Sequence, residues 1–118
     1  MCLLLLAFHA VPQCPWLLLG NRDEFHGRAT AAAQAWADDP AVIGGRDLEA
    51  GGSWLALNRN GRFAAVTNVR SAQSGRGPRS RGELVSAFVH GLESPHAYAH
   101  AIAARRRDYG PFNLIVGD

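Results

Sequence analysis

Lysine is absent from this chain of 118 residues, and all of its basic residues are arginines. The net charge is only +2, too small a field to expect nucleic acid as a partner. The most basic stretch runs from Arg70 to Arg81, with Arg70, Arg76, Arg79 and Arg81 set among Gly, Ser and Pro. It holds no aromatic residue on which a base could stack, so it reads as a solvated loop. Only two cysteines are present, Cys2 and Cys14. They make no disulfide framework, and their spacing fits no zinc site. The five histidines show no ligand spacing either, since His96 and His100 at i,i+4 are a weak signal alone. No metal and no other cofactor is expected. Nor does any apolar run approach the ~20 residues that cross a membrane. The opening MCLLLLAFHA lacks a basic start, and its apolar run is short for a signal peptide. A cytoplasmic protein with a free, reduced Cys2 is the expectation.

What is present is a foldable domain. Hydrophobic residues make up 47% and charged residues 19%, which excludes disorder and suits one domain over 1–118. Leu3 to Phe8 is a continuous apolar run, as for a strand buried on both faces. Pro12 and Pro15 interrupt it, and Trp16 to Gly20 resumes it. The two runs form a hairpin with a loop of about five residues. Phe25 to Pro40 reads as a long loop with a helical turn near Ala29–Ala37. Val42–Gly45 is a brief strand, and Ser53–Asn58 alternates as another. Asn60-Gly61 signals a hairpin to Arg62–Asn68. Val69 to Arg81 is a polar loop. Ser80-Arg81-Gly82-Glu83 has the form of a capping box and opens a helix with Leu84, Phe88 and Leu92 on one stripe. Ser94-Pro95 starts a second helix with serine as its cap. Ala97, Ala101 and Ala104 offer it a small-residue face, and Arg105–Arg107 fill its last turn. Phe112–Val116 is a final strand. Antiparallel strands, two helices and one more strand make an α+β pattern. A chain stopping directly after such a strand is expected to be truncated at its C-terminus. An incomplete sandwich exposes apolar sheet surface, which a homodimer would cover.

The chemistry gathers at the N-terminus. If Met1 is removed, Cys2 carries a thiol and a free α-amino group on one residue. An α-amine of pKa about 7.7–8.0 can accept the proton of a thiol of pKa about 8.5, the logic of an N-terminal nucleophile. The hairpin brings Asn21-Arg22-Asp23-Glu24 to that end of the sheet. A five-residue loop sets Cys2 opposite Glu24 and shares a face with Arg22, whose guanidinium would favour the thiolate. A four-residue loop sets Cys2 opposite Asp23, whose carboxylate would orient the α-ammonium. One residue of register separates the two. Asn68 and Asn113 are candidate oxyanion donors. Asn21, Glu24, Gly52 and Ser53 are candidate substrate contacts, the glycine permitting close backbone approach to a ligand. Trp54 is read as core rather than as a binding platform.

Met1-Cys2 before an apolar strand, then Asn21-Arg22-Asp23-Glu24-Phe25, resembles the NRDE family, also called the transport and Golgi organisation protein 2 family. Gly51-Gly52-Ser53-Trp54-Leu55, Gly61–Asn68, Ser80-Arg81-Gly82-Glu83-Leu84 and Phe112-Asn113-Leu114 match in the same order. Members are about twice this length or more, so the resemblance implies an N-terminal part. It also implies a likeness to N-terminal-nucleophile hydrolases of the bile-salt hydrolase and penicillin V acylase type. Their fold is an αββα sandwich, and they cleave linear amides of small molecules. In that light Cys2 is the nucleophile, Arg22 and Asp23 match the arginine and aspartate of the next strand, and Asn68 is a looser match to an oxyanion asparagine. Family members have also been connected with secretory organisation, lipid metabolism and haem trafficking. That implies a second reading, a non-catalytic carrier or chaperone for a haem or lipid.

Overall fold

A computed structural model describes residues 2–69 and 77–118. Met1 and most of the loop expected over Val69–Arg81, with Arg70 and Arg76, lie outside the described residues. The elements are β1 (Leu3–Val11), β2 (Cys14–Asn21), β3 (Thr30–Ala35), β4 (Val42–Asp47), β5 (Leu55–Asn58), β6 (Phe63–Asn68), α1 (Gly82–His90), α2 (Pro95–Ala104) and β7 (Phe112–Gly117). β1 and β2 form a two-stranded antiparallel sheet, and β3-β4-β5-β6-β7 form a five-stranded one in sequence order. Two antiparallel sheets with two helices make the expected α+β class.

The five-stranded sheet carries the core. Ala56, Ala64 and Val66 cluster with Leu84, Val85, Phe88 and Val89 of α1, and Tyr98 and Ile102 of α2 join them together with Trp36, Val42 and Tyr109. Phe88, Leu84 and Val85 are fully buried, and each such side chain contributes roughly 1.5–3 kcal/mol. The β5–β6 turn also caps the C-terminus of α1. Asn58 Nδ2 donates to Val89 O at 3.0 Å. The buried Arg62 donates to Phe88 O at 3.2 and 3.1 Å and to Glu93 O at 2.8 Å, with its guanidinium 4.1 Å from the Phe88 ring centroid.

Several expectations change. β3 occupies the stretch read as a loop with a helical turn: its alanines are held extended by pairing with β4, Thr30 against Asp47 and Ala35 against Ile43. The capping box of α1 does not form. Glu83 instead takes a hydrogen bond from Tyr109 Oη at 2.6 Å and pairs with Arg79, and Arg81 occupies the cap position without a side-chain cap. α1 ends at Gly91, whose N–H bonds Ala87 O and Phe88 O, so Leu92 stands out of the stripe at 94% exposure. Ser94 does cap α2, accepting from Ala97 N at 3.2 Å. That helix buries Tyr98 and Ile102 rather than its alanines, and it stops at Ala104, before the three arginines.

The hairpin is tighter than counted. Pro12 and Gln13 form a two-residue turn, with Gln13 at φ 62°, the pattern of proline first and positive φ second. A bulge at His9 (φ 51°) shifts the ladder between Phe8 and Val11. The register is Leu3 with Asn21, Leu5 with Leu19 and Phe8 with Trp16. Nor is β1 buried on both faces. Trp16 on the inner face stacks on Phe63 of β6, centroids 4.5 Å apart. The outer face shows Leu3, Leu5, Leu17 and Leu19, with Leu5 56% and Leu19 53% exposed. Among the described residues neither hairpin edge is paired to a further strand.

Candidate functional site

The ladder fixes Leu3 against Asn21, and Leu3 N donates to Asn21 Oδ1 at 2.8 Å. One further step sets Cys2 across from Arg22, so neither counted register holds. Just beyond, the backbone N–H of Asp23 donates to Cys2 Sγ at 3.3 Å, and the thiol lies 3.9 Å from Asp23 O. The nucleophile candidate is thus held by the main chain of the polar quartet.

Cys2 opens on a cavity of about 270 Å³. Its walls include Arg22, Asp23, Glu24, Arg28, Trp54, Asn68 and the 77–82 segment. Arg22 lies over Trp54, Cζ 4.1 Å from the ring centroid, and reaches Glu24 at 4.0 Å. The indole therefore serves as a platform for a cation as well as a wall, more than the core role expected of it. Asn68 stands at the end of β6 on the cavity rim. Asn113, the other oxyanion candidate, donates to Thr67 Oγ1 at 3.3 Å within the sheet.

Gly52 and Ser53 serve the scaffold. A side chain at Gly52 would stand 2.3 Å from Gly82 C and 2.6 Å from Gly82 O. The close approach it permits is to the first residue of α1. Ser53 N donates to Gly82 O at 3.1 Å, and its buried hydroxyl lies 2.8 Å from Gly45 O and 3.0 Å from Leu55 O.

Arg28 escaped the sequence reading. Its Nη2 is 2.7 Å and its Nε 3.1 Å from Asp47 Oδ2. It also pairs with Glu49 at 3.2 Å and Glu24 at 3.9 Å. The hydrogen bond to Asp47, opposed by burial and helped by the three carboxylates, holds its pKa above the ordinary arginine value. Burial alone would push the Asp47 carboxyl up. The bonds from Arg28 and from Ala50 N and Glu49 N, with the Arg28 charge, outweigh it and hold the group below its ordinary value. Glu24 is four residues away, but Asp47 and Glu49 are about twenty, so local spacing does not signal the network.

A second, mostly apolar cavity of about 610 Å³ lies between the hairpin and the large sheet. Trp16, Leu18, Ile43, Leu55 and Phe63 line it, and Trp54 lines both this cavity and the cysteine cavity. No group of histidine, cysteine or acidic side chains among the described residues is arranged to hold a metal. No helix among them is long and apolar enough to cross a membrane.

A cysteine held by a hairpin at the mouth of an arginine-walled cavity, on an α+β scaffold of two antiparallel sheets, defines the class of protein. The chain belongs to the Transport and Golgi organisation 2 family, whose model matches residues 1–118. It is 37% identical over 105 residues to the Transport and Golgi organization protein 2 homolog of Bos taurus, covering 86% of this chain and 38% of that protein. The human homolog is 34% identical over the same shares. The Drosophila melanogaster protein is 33% identical over 108 residues, 84% of this chain and 38% of its own length. The chain thus spans well under half the length of these relatives.

Proposed function

We propose that Cys2, freed of Met1, is the nucleophile of a hydrolase acting on a linear amide bond of a small molecule. The observation that carries this reading is the Asp23 N–H aimed at Cys2 Sγ from 3.3 Å, at the mouth of a cavity that Arg22 and Asn68 also line. In the proposed reaction the α-amine takes the thiol proton and sulfur attacks the carbonyl carbon. Asn68 donates to the resulting oxyanion, with the Arg22 charge nearby. The C–N bond breaks, and the amine leaves with the proton returned by the α-ammonium. Water then cleaves the thioester, releasing the acid and restoring the thiol. Asp23 orients the α-ammonium and the sulfur. The likeness to N-terminal-nucleophile hydrolases, with their αββα sandwich, belongs to this proposal, as does a cytoplasmic location. So does the view that 1–118 is the N-terminal part of a longer domain, or that copies pair through the exposed sheet.

The test is intact-mass spectrometry of the full-length protein, alone and with acyl amides. Loss of Met1, a transient acyl adduct on Cys2 and no turnover by Cys2→Ser are expected. Retained Met1 overturns the mechanism, because the amine would be locked in a peptide bond.

The apolar cavity beneath the hairpin favours a second reading, a carrier of a haem or lipid. Saturable binding that survives Cys2→Ser, with no amide cleaved, would favour it over hydrolysis.

A further inference from the structure

Among the described residues the hairpin that carries Cys2 shares no strand pairing with the five-stranded sheet. Side chains bridge the two. Trp16 stacks on Phe63, and Arg22 lies over Trp54. A further, ionic contact is centred on Arg28. This residue follows a tight turn, its own N–H bonded to Phe25 O at 3.0 Å. Its Nε donates to Asp47 Oδ2 at 3.1 Å and lies 3.9 Å from the carboxylate of Glu24, the last residue of the quartet. Its two terminal nitrogens reach Asp47 at 2.7 Å and Glu49 at 3.2 Å at the β4–β5 connection. That connection is itself stiff. Asp47 Oδ1 accepts from Glu49 N and Ala50 N at 3.0 and 3.2 Å, and Arg46 Nε donates to Gly51 O at 2.9 Å. Leu48 N bonds Ala29 O at 3.0 Å, so backbone flanks the ionic contact. The Arg28 side chain is only 20% exposed and that of Asp47 only 12%, so water screens this pair less than a surface one.

We propose that Arg28 is the positioning residue of the cysteine site, tying the Arg22–Glu24 segment to the Asp47–Ala50 turn so that the Asp23 N–H stays on the Cys2 sulfur. The guanidinium suits this role because a planar fork meets several carboxylates at once, whereas an ammonium is a single point charge. The proposal deepens the reading of Cys2 as the reactive group, yet it is measured separately from it.

The experiment is amide hydrogen exchange by NMR on wild type, Arg28→Ala and Arg28→Lys, beside alkylation of the two cysteines followed by mass spectrometry. In Arg28→Ala the Asp23 amide should exchange about tenfold faster, the ratio an ordinary charge-assisted bond supports. Amides of the α1 core, such as Phe88 and Val89, should keep their rates. Arg28→Lys should recover part of the loss. An unchanged Asp23 amide in Arg28→Ala overturns the proposal. So does equal acceleration of the Asp23 and α1 amides, since Arg28 would then support only the fold. Should Arg28→Ala not fold, Arg28→Lys carries the test: a smaller rise at Asp23 with α1 rates kept supports the proposal, and an unchanged Asp23 amide or equal acceleration of the α1 amides overturns it. The wild-type alkylation speaks to the nucleophile alone. Cys2 no faster than Cys14 sinks the reading of Cys2 as reactive and leaves the exchange result to judge Arg28.

Discussion

Replacing Arg62 by methionine probes how the sheet and its helix are joined. The change keeps an unbranched apolar stem and removes the guanidinium. Arg62 is 7% exposed and serves two carbonyls, Phe88 O through two N–H groups and Glu93 O through one. A charge-assisted bond is worth about 1.5 kcal/mol at the low end, so two abandoned acceptors cost about 3 kcal/mol. The stacking on Phe88 adds to this, and relief from burying a charge subtracts from it. Asp118, 3.7 Å from the guanidinium, is 50% exposed and is rehydrated without penalty. With a urea slope of about 2 kcal/mol/M, a loss of that size lowers the midpoint by roughly 1.5 M at unchanged slope. Arg62→Lys, which reaches one carbonyl, should lose about half as much. Equilibrium urea unfolding followed by far-ultraviolet circular dichroism reads both. A midpoint for Arg62→Met within about 0.2 M of wild type would refute the claim that the β5–β6 turn holds the end of α1.

Three further outcomes follow from the same geometry. The folded Asp47 carboxyl lies below its unfolded value of 3.8, so its stabilisation is complete above that value and is lost as pH falls through the folded one. Asp47→Asn should lower the urea midpoint at neutral pH and flatten its decline in acid, and parallel acid profiles would contradict this. The phenols of Tyr98 and Tyr109 are both pushed up to about 12, each mainly by burial and Tyr109 also by its bond to Glu83. The folded state is therefore favoured while they stay neutral and loses that gain as pH rises from 10 through the folded value. Ultraviolet difference titration of the two tyrosines should show no ionisation near pH 10 before unfolding begins. Gly52→Ala sets a methyl 2.3 Å from Gly82 C, backbone against backbone. It should cost about 1–3 kcal/mol of stability in the same urea assay, and a neutral result would mean that α1 can slide.

Much of the fold could be read before the structure, wherever local chemistry decides. The Asn60-Gly61 turn, with Gly61 at φ 97°, and the Ser94-Pro95 cap depend on a few adjacent residues, and both form. Where partners are distant, the reading failed. Thr30–Ala35 has almost no strand propensity, and only β4 beside it makes it a strand. Glu83 sits where a capping box wants it, but Arg79 and Tyr109 offer it stronger bonds. At the site, the meeting of Cys2 with the quartet followed from the hairpin alone. Its register did not, because the turn is two residues long and a bulge at His9 absorbs the difference. Arg28 was invisible because its strongest partners, Asp47 and Glu49, are about twenty residues away, and only the fold brings them together.

The leucines on the outer side of the hairpin have a consequence for the protein in solution. A two-stranded ribbon whose rims pair with no further strand among the described residues presents main-chain donors and acceptors beside an oily face, the arrangement on which neighbouring chains stack. The ribbon has few of the usual guards: the bulge at His9 and Pro15 interrupt it, but neither strand carries an Arg, Asp or Glu. Colloidal behaviour and nucleophile are therefore bound to one element. Whatever shelters Leu5 and Leu19 also steadies the strand whose first neighbour is Cys2, so crowding this surface should reach the thiol without entering its cavity.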